Sequence, residues 1–500
     1  MNVEPAKPAR PMRKPIWPKV PSEFVRAVLK GHSSLGLAFA ALIYLVCLTG
    51  TIAVFSHEFE RWENPSAPRL ETASPEAVQA GYTAALDATG KGVEHVFITM
   101  PDADLPRLTV TTDVGGHYRS WAADERGTIV EASSPWTEFL TRLHINLHLP
   151  RTIGIFLVGL IGVALLSSLI SGLLAHPRIF RDAFHLRLGG SRRLQEADLH
   201  NRLGIWALPF HITVSLTGAL LGLTTIIVGA LGFAMFQGDV NKVYALFVPP
   251  HPVDNPAPAP PLDLRPMFAQ VAKLTDGRVA YVFMEHPTEM GGAALFNVED
   301  GSNRLSHTDA YTFDRNAKLY FSKKAEANNV GEQILGSLGV LHFGWFGGSV
   351  VKIAYGLLGL GLTYLAASGV TIWLARRRDK GRSAPGWERV WTAVVWGQPV
   401  ALVAAAGVTL VGIGVSMSLA LAIWGGVTVA ALVAAALLPA APLSRLGKIA
   451  TVGLLIALAL AHMVLRGGED PIAWTVNAVL IGLGLVLLWF ARSAGRAAAV

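Results

Sequence analysis

The sequence predicts a polytopic α-helical membrane protein. A helix–outer domain–helix unit, present twice, forms a four-helix core with two small α+β domains outside the membrane, and a hydrophobic four-helix extension follows. Three observations predict this. Apolar residues fill 52% of 500 positions and charged residues 15%, against about a quarter charged in soluble domains. The surplus is gathered in eight charge-poor runs, at 35–55, 153–175, 205–236, 353–375, 390–416, 419–438, 449–465 and 472–491. Most reach the roughly 20 residues that cross about 30 Å of hydrocarbon. Third, the first four runs share a repeated motif pattern that the last four lack.

Residues 1–31 form a basic cytoplasmic segment with Lys7, Arg10, Arg13, Lys14, Lys19, Arg26 and Lys30. The first membrane helix, 32–56, is too long for a signal-peptide core and has no small-x-small cleavage site, so it is expected to be retained. The second spans 144–176, with a basic loop at 177–199; the third spans 200–236; the fourth spans 342–376, with a basic loop at 377–389. Lys and Arg collect on the cytoplasmic side. The segments 57–143 and 237–341 are therefore expected in the periplasm and the chain in a bacterial inner membrane. The net charge of +7 serves topology, which sets aside a nucleic-acid partner. The single cysteine, Cys47, lies within the first helix, so an intrachain disulfide, a thiolate pair holding zinc or an iron–sulfur cluster, and a C-x-x-C-H haem attachment are all excluded.

Both outer segments read as a helix followed by short strands. In the first, Ser74 as N-cap, Pro75 and Gly90 bracket a helix, with strands at 93–99, 107–114 and 117–122. In the second, Asp263 caps a helix ending near Gly277, with strands at 279–284, 293–298, 310–313 and 319–322. The Pro-rich stretch 249–261 is a stiff linker. Residues 390–500 form the hydrophobic extension of about four helices.

The repeat is clearest in the membrane. Helix one carries His32-x-x-Leu35-Gly36 and helix three His200-x-x-Leu203-Gly204, and in both a Thr-Gly pair follows 17 residues after the histidine, at Thr49 and Thr217. Leu147-His148 and Leu341-His342 precede helices two and four, which carry Ser171-Gly172 and Ser368-Gly369 near their ends; that pairing needs a three-residue gap. Matched residues of two parallel copies lie at one depth, His32 with His200 at the cytoplasmic face, His148 with His342 at the outer face. Two neutral imidazoles on facing helices hold a b-type haem in a membrane, so the expectation is two haems b stacked across the bilayer. His144 and His148, at i and i+4, share a helix face, so only one of them is a ligand; the alignment favours His148. His211 lies eleven residues after His200, and an imidazole that deep is functional by default, as ligand or as neighbour. Gly154, Gly159, Gly162, Gly356, Gly359 and Gly361 suit either a porphyrin edge or plain helix packing.

The combined pattern resembles the PepSY-associated transmembrane protein family, which includes iron-regulated inner-membrane proteins and siderophore reductases. The resemblance covers roughly residues 25–378 and is most specific over LHNRLGIWALPFHITVSLTG, 199–218. It implies PepSY-like outer domains and a haem-bearing ferric reductase that frees iron from an imported ferric siderophore. The hydrophobic extension departs from the family's smaller members.

No G-x-G-x-x-G follows a strand, and the cytoplasmic loops are too short for a flavin or nicotinamide domain. The electron donor is thus a separate cytoplasmic protein or membrane quinol. Two other classes compete: a membrane-tethered binding or regulatory module without redox chemistry, and a component of a siderophore or metal transporter. Charged residues are nearly absent from the span centres, which weighs against transport. His95, His117, His286 and His307 read as surface residues.

Overall fold

The computed structural model of the chain describes residues 21–176, 192–245, 249–250, 252–411 and 416–497; Arg178, Arg181 and Arg187 of the basic loop lie outside these. Helix α1 (Ser22–Ala53) crosses the bundle and turns at Phe55 into the short α2 (Ser56–Glu63). Then comes α3 (Pro75–Thr89), where the Ser74 hydroxyl accepts from the Ala77 amide and Gly90, at φ +93°, ends the helix. Strands β1 (His95–Thr99), β2 (Leu108–Val114), β3 (His117–Ala123) and β4 (Ile129–Glu131) lead to α4 (Pro135–Asn146) and the apolar α5 (Arg151–Leu174).

The region expected as one span at 200–236 is broken. It forms α6 (Arg192–Trp206), α7 (Leu208–Gly222) and α8 (Thr224–Phe236), followed by α9 (Val240–Tyr244), and α6 meets α7 at a bend of 70°. Pro209 is the cause, since it has no amide proton for the carbonyl four residues earlier. Helix α10 (Arg265–Leu274) begins after Leu264. Asp263 does not sit at the cap; its carboxylate grips the Arg265 guanidinium at 2.8 Å. Strands β5 (Arg278–Glu285), β6 (Ala293–Glu299), β7 (Thr308–Asp314) and β8 (Leu319–Lys323) precede α11 (Val330–Phe343) and α12 (Gly348–Asp379). The tail is four helices, α13 (Pro385–Val411), α14 (Met417–Leu437), α15 (Ala440–Leu465) and α16 (Pro471–Ala497).

Among the described residues seven helices are long and apolar enough to cross a membrane, or eight if the bent pair is one span. The chain is a multi-pass membrane protein. Its two soluble segments do not fold as separate sheets. All eight strands make one antiparallel sheet in the order β4-β3-β2-β1-β5-β6-β7-β8, closed at the centre by β1 against β5 with Phe97 opposite Phe283. That pairing removes two edges that would otherwise stand exposed. Alternation sends Val96, Ile98, Val110, Val282, Met284 and Phe296 to one face, where Val78 and Tyr82 of α3 and Met267 and Val271 of α10 cover them in a common core.

The tail is locked to the rest. Arg61 of α2 makes a buried two-pronged ion pair with Asp470, at 2.8 and 2.7 Å. Trp62 donates its indole N–H to Asn477 Oδ1 at 2.9 Å, and the His462 ring stacks on it at 4.5 Å while its Nε2 donates to the Trp62 carbonyl at 2.6 Å. Trp136, Phe139, Leu140 and Leu143 of α4 pack with Leu402, Leu410 and Leu458 of the tail.

Candidate functional site

Each soluble segment returns to the bundle through a short helix that stops before the next span. Helix α4 ends because Leu147 turns left-handed at φ +54°, and α11 ends because Gly344 does so at φ +77°. The long helices then start at Arg151 and Gly348. His144 and His342 therefore lie on short re-entry helices and not on the spans expected at 144–176 and 342–376.

These two rings are close neighbours, with centres 6.2 Å apart and planes 21° from parallel. His144 Nδ1 donates to the Val46 carbonyl of α1 at 3.0 Å, and His342 Nδ1 lies 3.1 Å from the Thr217 hydroxyl of α7. Each ring also rests on the glycine of a Thr-Gly pair. A Cβ at Gly50 would stand 2.5 Å from His144 Cε1, and one at Gly218 would stand 2.8 Å from His342 Cε1.

The opposite, basic end repeats the arrangement. His32 Nδ1 donates to the Ser168 carbonyl at 2.9 Å and lies 3.2 Å from the Ser171 hydroxyl, and His200 Nδ1 lies 2.8 Å from the Ser368 hydroxyl. The glycines of both Ser-Gly pairs abut these rings, Gly172 with its virtual Cβ 3.3 Å from His32 Cε1 and Gly369 with its own 3.6 Å from His200 Cε1. Both imidazoles line one largely apolar cavity of about 240 Å³, with Gly36, Gly204, Trp373 and Arg376 also in its wall.

The donor chemistry suits a metal-centred cofactor. A carbonyl only accepts, so His32 and His144 carry their proton on Nδ1 and offer Nε2 as a lone-pair nitrogen. A ring anchored through one nitrogen to a neighbouring group, leaving the other for a metal, is the usual outer-shell arrangement of a histidine ligand. Two imidazoles sharing one metal at about 2 Å per bond have ring centres roughly 6 Å apart, which is the separation of His144 and His342. The residues present therefore fit a haem iron: His144 and His342 would hold one, and His32 and His200, which line a common cavity, would hold another.

The other candidates are placed differently. His148, at φ +53°, has left the helix; its ring stacks on Phe139 and its Nε2 donates to the Phe139 carbonyl at 2.8 Å. His211 is fully buried on α7, with no hydrogen-bond partner for either nitrogen. Of the six glycines weighed for a porphyrin edge, Gly159 meets Gly222, Gly162 meets Ala219, Gly359 meets Thr51, Gly356 meets Phe55 and Gly154 meets Asn146, while Gly361 meets nothing. They serve packing. The glycines beside the histidines are those of the Thr-Gly and Ser-Gly pairs, and the recurrence of the Thr-Gly pairs at one spacing was the available signal. Sequence reasoning also missed Glu63, whose carboxylate accepts from the Trp136 and Thr137 amides and the Thr137 hydroxyl at 2.9, 3.0 and 2.6 Å. It anchors the start of the helix that carries His144. Burial pushes its carboxyl up to about 7.

A family described as the PepSY-associated TM region matches residues 29–376, from just before His32 to the end of the fourth core helix. The chain belongs to this family. The match to the PepSY-associated TM region takes in all six candidate histidines and stops before the tail. The chain is also 33% identical over 395 residues to Uncharacterized protein PA4219 of Pseudomonas aeruginosa, an alignment covering 71% of this chain and 95% of that protein.

Proposed function

We propose that this member of the PepSY-associated TM family is a haem-containing ferric-chelate reductase of a bacterial inner membrane. In this reading it is built from two copies of a helix–PepSY-like domain–helix unit, with the soluble sheet in the periplasm. It takes electrons from quinol or a cytoplasmic protein and delivers one per ferric ion to a ferric siderophore or similar chelate. The observation that carries the reading is the pair His144 and His342, anchored through Nδ1, seated on glycine and separated by 6.2 Å. The second pair, His32 and His200, supports it with the same construction at the basic end.

When bound, a b-type haem supplies a one-electron couple at each pair. The protein's own residues bind and orient it. Val46, Thr217, Ser168 and Ser368 fix the four imidazoles, the glycines admit the rings, and a largely apolar cavity surrounds His32 and His200. Reduction of a ferric chelate moves an electron and needs no acid or base from the chain.

The test is the visible spectrum of the detergent-purified protein, oxidised and then reduced, with pyridine extraction to count the haem. Two haems b per chain are expected. His32→Ala and His200→Ala should each remove the same one, and His144→Ala and His342→Ala the other, whereas His148→Ala should keep both. A colourless wild type, or four variants with unchanged haem and spectra, overturns the reading.

A further inference from the structure

At the seam where β1 meets β5, the sheet gathers titratable groups that the histidine pairs do not use. In register, His95 of β1 stands between Asp113 of β2 and Glu285 of β5. Its Nδ1 is 3.1 Å from Asp113 Oδ2, and Glu94 completes a trio whose ligand atoms all lie within 4.8 Å of one another. The turn after β5 brings a second imidazole, His286, with its ring centre 6.2 Å from that of His95 and its Nδ1 3.5 Å from Glu289 Oε2.

The surroundings hold these groups in place. The His95 ring stacks on Phe283 at 5.7 Å, Asp113 accepts from the Gly116 amide at 2.8 Å, and the His286 amide donates to the Glu94 carbonyl at 2.8 Å. His286 adopts φ +46°, an uncommon backbone for a residue with a side chain. Among the described residues, none of the carboxylates of Glu94, Asp113, Glu285 and Glu289 is paired with a lysine or arginine. The seam thus concentrates negative charge around two imidazoles without a counter-cation.

Mixed imidazole and carboxylate donors select divalent first-row transition ions, whereas calcium and magnesium take oxygen ligands. We propose that Glu94, His95 and Asp113, with His286 as a further donor, bind a divalent transition-metal ion at the seam. The donors come from both soluble segments, so the ion ties β1 and β2 to the turn after β5. The site is independent of the haem reading and stands or falls without it.

The probe is Mn2+, followed as loss of the free-ion electron paramagnetic resonance signal on titrating EDTA-washed, full-length protein in detergent. One bound ion per chain is expected. Glu94→Gln and His286→Ala, changes outside the sheet core, should each weaken binding at least about tenfold, as loss of a supporting group does at metal sites. His95→Ala should weaken it further, and His117→Ala, at an exposed turn of the same sheet, should leave it unchanged. No binding up to about 1 mM, the weak end of extracellular cation sites, overturns the proposal. So does binding that survives Glu94→Gln, His286→Ala and His95→Ala alike.

Discussion

At the scale of single residues, ligand and support are separable. A methyl group at Gly218 would meet His342 Cε1 at 2.8 Å, closer than carbon atoms approach without displacement. Gly218→Ala is therefore expected to tilt or expel the His342 ring while every histidine remains. The same change at Gly361, which has open space, should be silent. The measurement is the reduced spectrum of the two variants. An unaltered Gly218→Ala spectrum at full haem occupancy would mean that the close approach is not needed. The sequence singled out His32 and His200 through equal spacing and His342 through a looser match, which paired it with His148. That alignment matched Leu147-His148 to Leu341-His342 at the cost of a three-residue gap. Helix α4 ends at Asn146, ahead of His148, whereas α11 runs on through His342. Matching His144 instead leaves a one-residue gap to the Ser-Gly pairs. What sets His144 rather than His148 opposite His342 is a left-handed leucine, Leu147, a conformation that sequence preference does not announce.

At the scale of elements, seven of the eight soluble strands were legible to within a residue or two, the three-residue β4 was missed, and their union into one sheet was not legible. Joining β1 to β5 pairs residues as far apart in the chain as Phe97 and Phe283, and no local pattern reports it. The tail's attachment was hidden for a similar reason: His462, isolated in an apolar run, gave no hint that it stacks on Trp62. That attachment has a measurable worth. The Arg61 and Asp470 side chains are 7% and 0% exposed, and removing one member of a buried pair strands the other charge at a cost of about 3–5 kcal/mol. Asp470→Asn should lower the thermal unfolding midpoint in detergent, read by tryptophan emission, by several degrees. Replacing both residues by leucine should recover much of the loss, because apolar substitution of a whole buried pair is tolerated. An Asp470→Asn protein as stable as wild type would show that α2 is held by apolar packing alone.

At the scale of the whole molecule, the two histidine pairs stand at opposite ends of α1, with His32 on one end and His144 against Gly50 near the other. His32 and Gly50, which mark them on α1, are 18 residues apart, roughly 27 Å of helix. Two porphyrins set between these levels would bring their edges much closer than that. His211 lies between the levels on α7, buried, seven residues or roughly 10 Å before Gly218. The pair at His144 and His342 is the one nearer the sheet, since both residues belong to helices that leave it. The pair at His32 and His200 lies beside the arginines that close α12. This polarity makes the proposed reaction vectorial. In proteoliposomes that enclose a reductant at the basic face, an external ferric siderophore should yield ferrous iron, captured by an external ferrous chelator. His342→Ala should abolish that signal while His32 and His200 still hold haem, and His200→Ala should abolish it by cutting the supply. His148→Ala, which leaves both pairs intact, should retain it. Haem-loaded wild type that reduces no ferric chelate in this arrangement would separate cofactor binding from the reductase reading, and would leave the soluble sheet as a binding module.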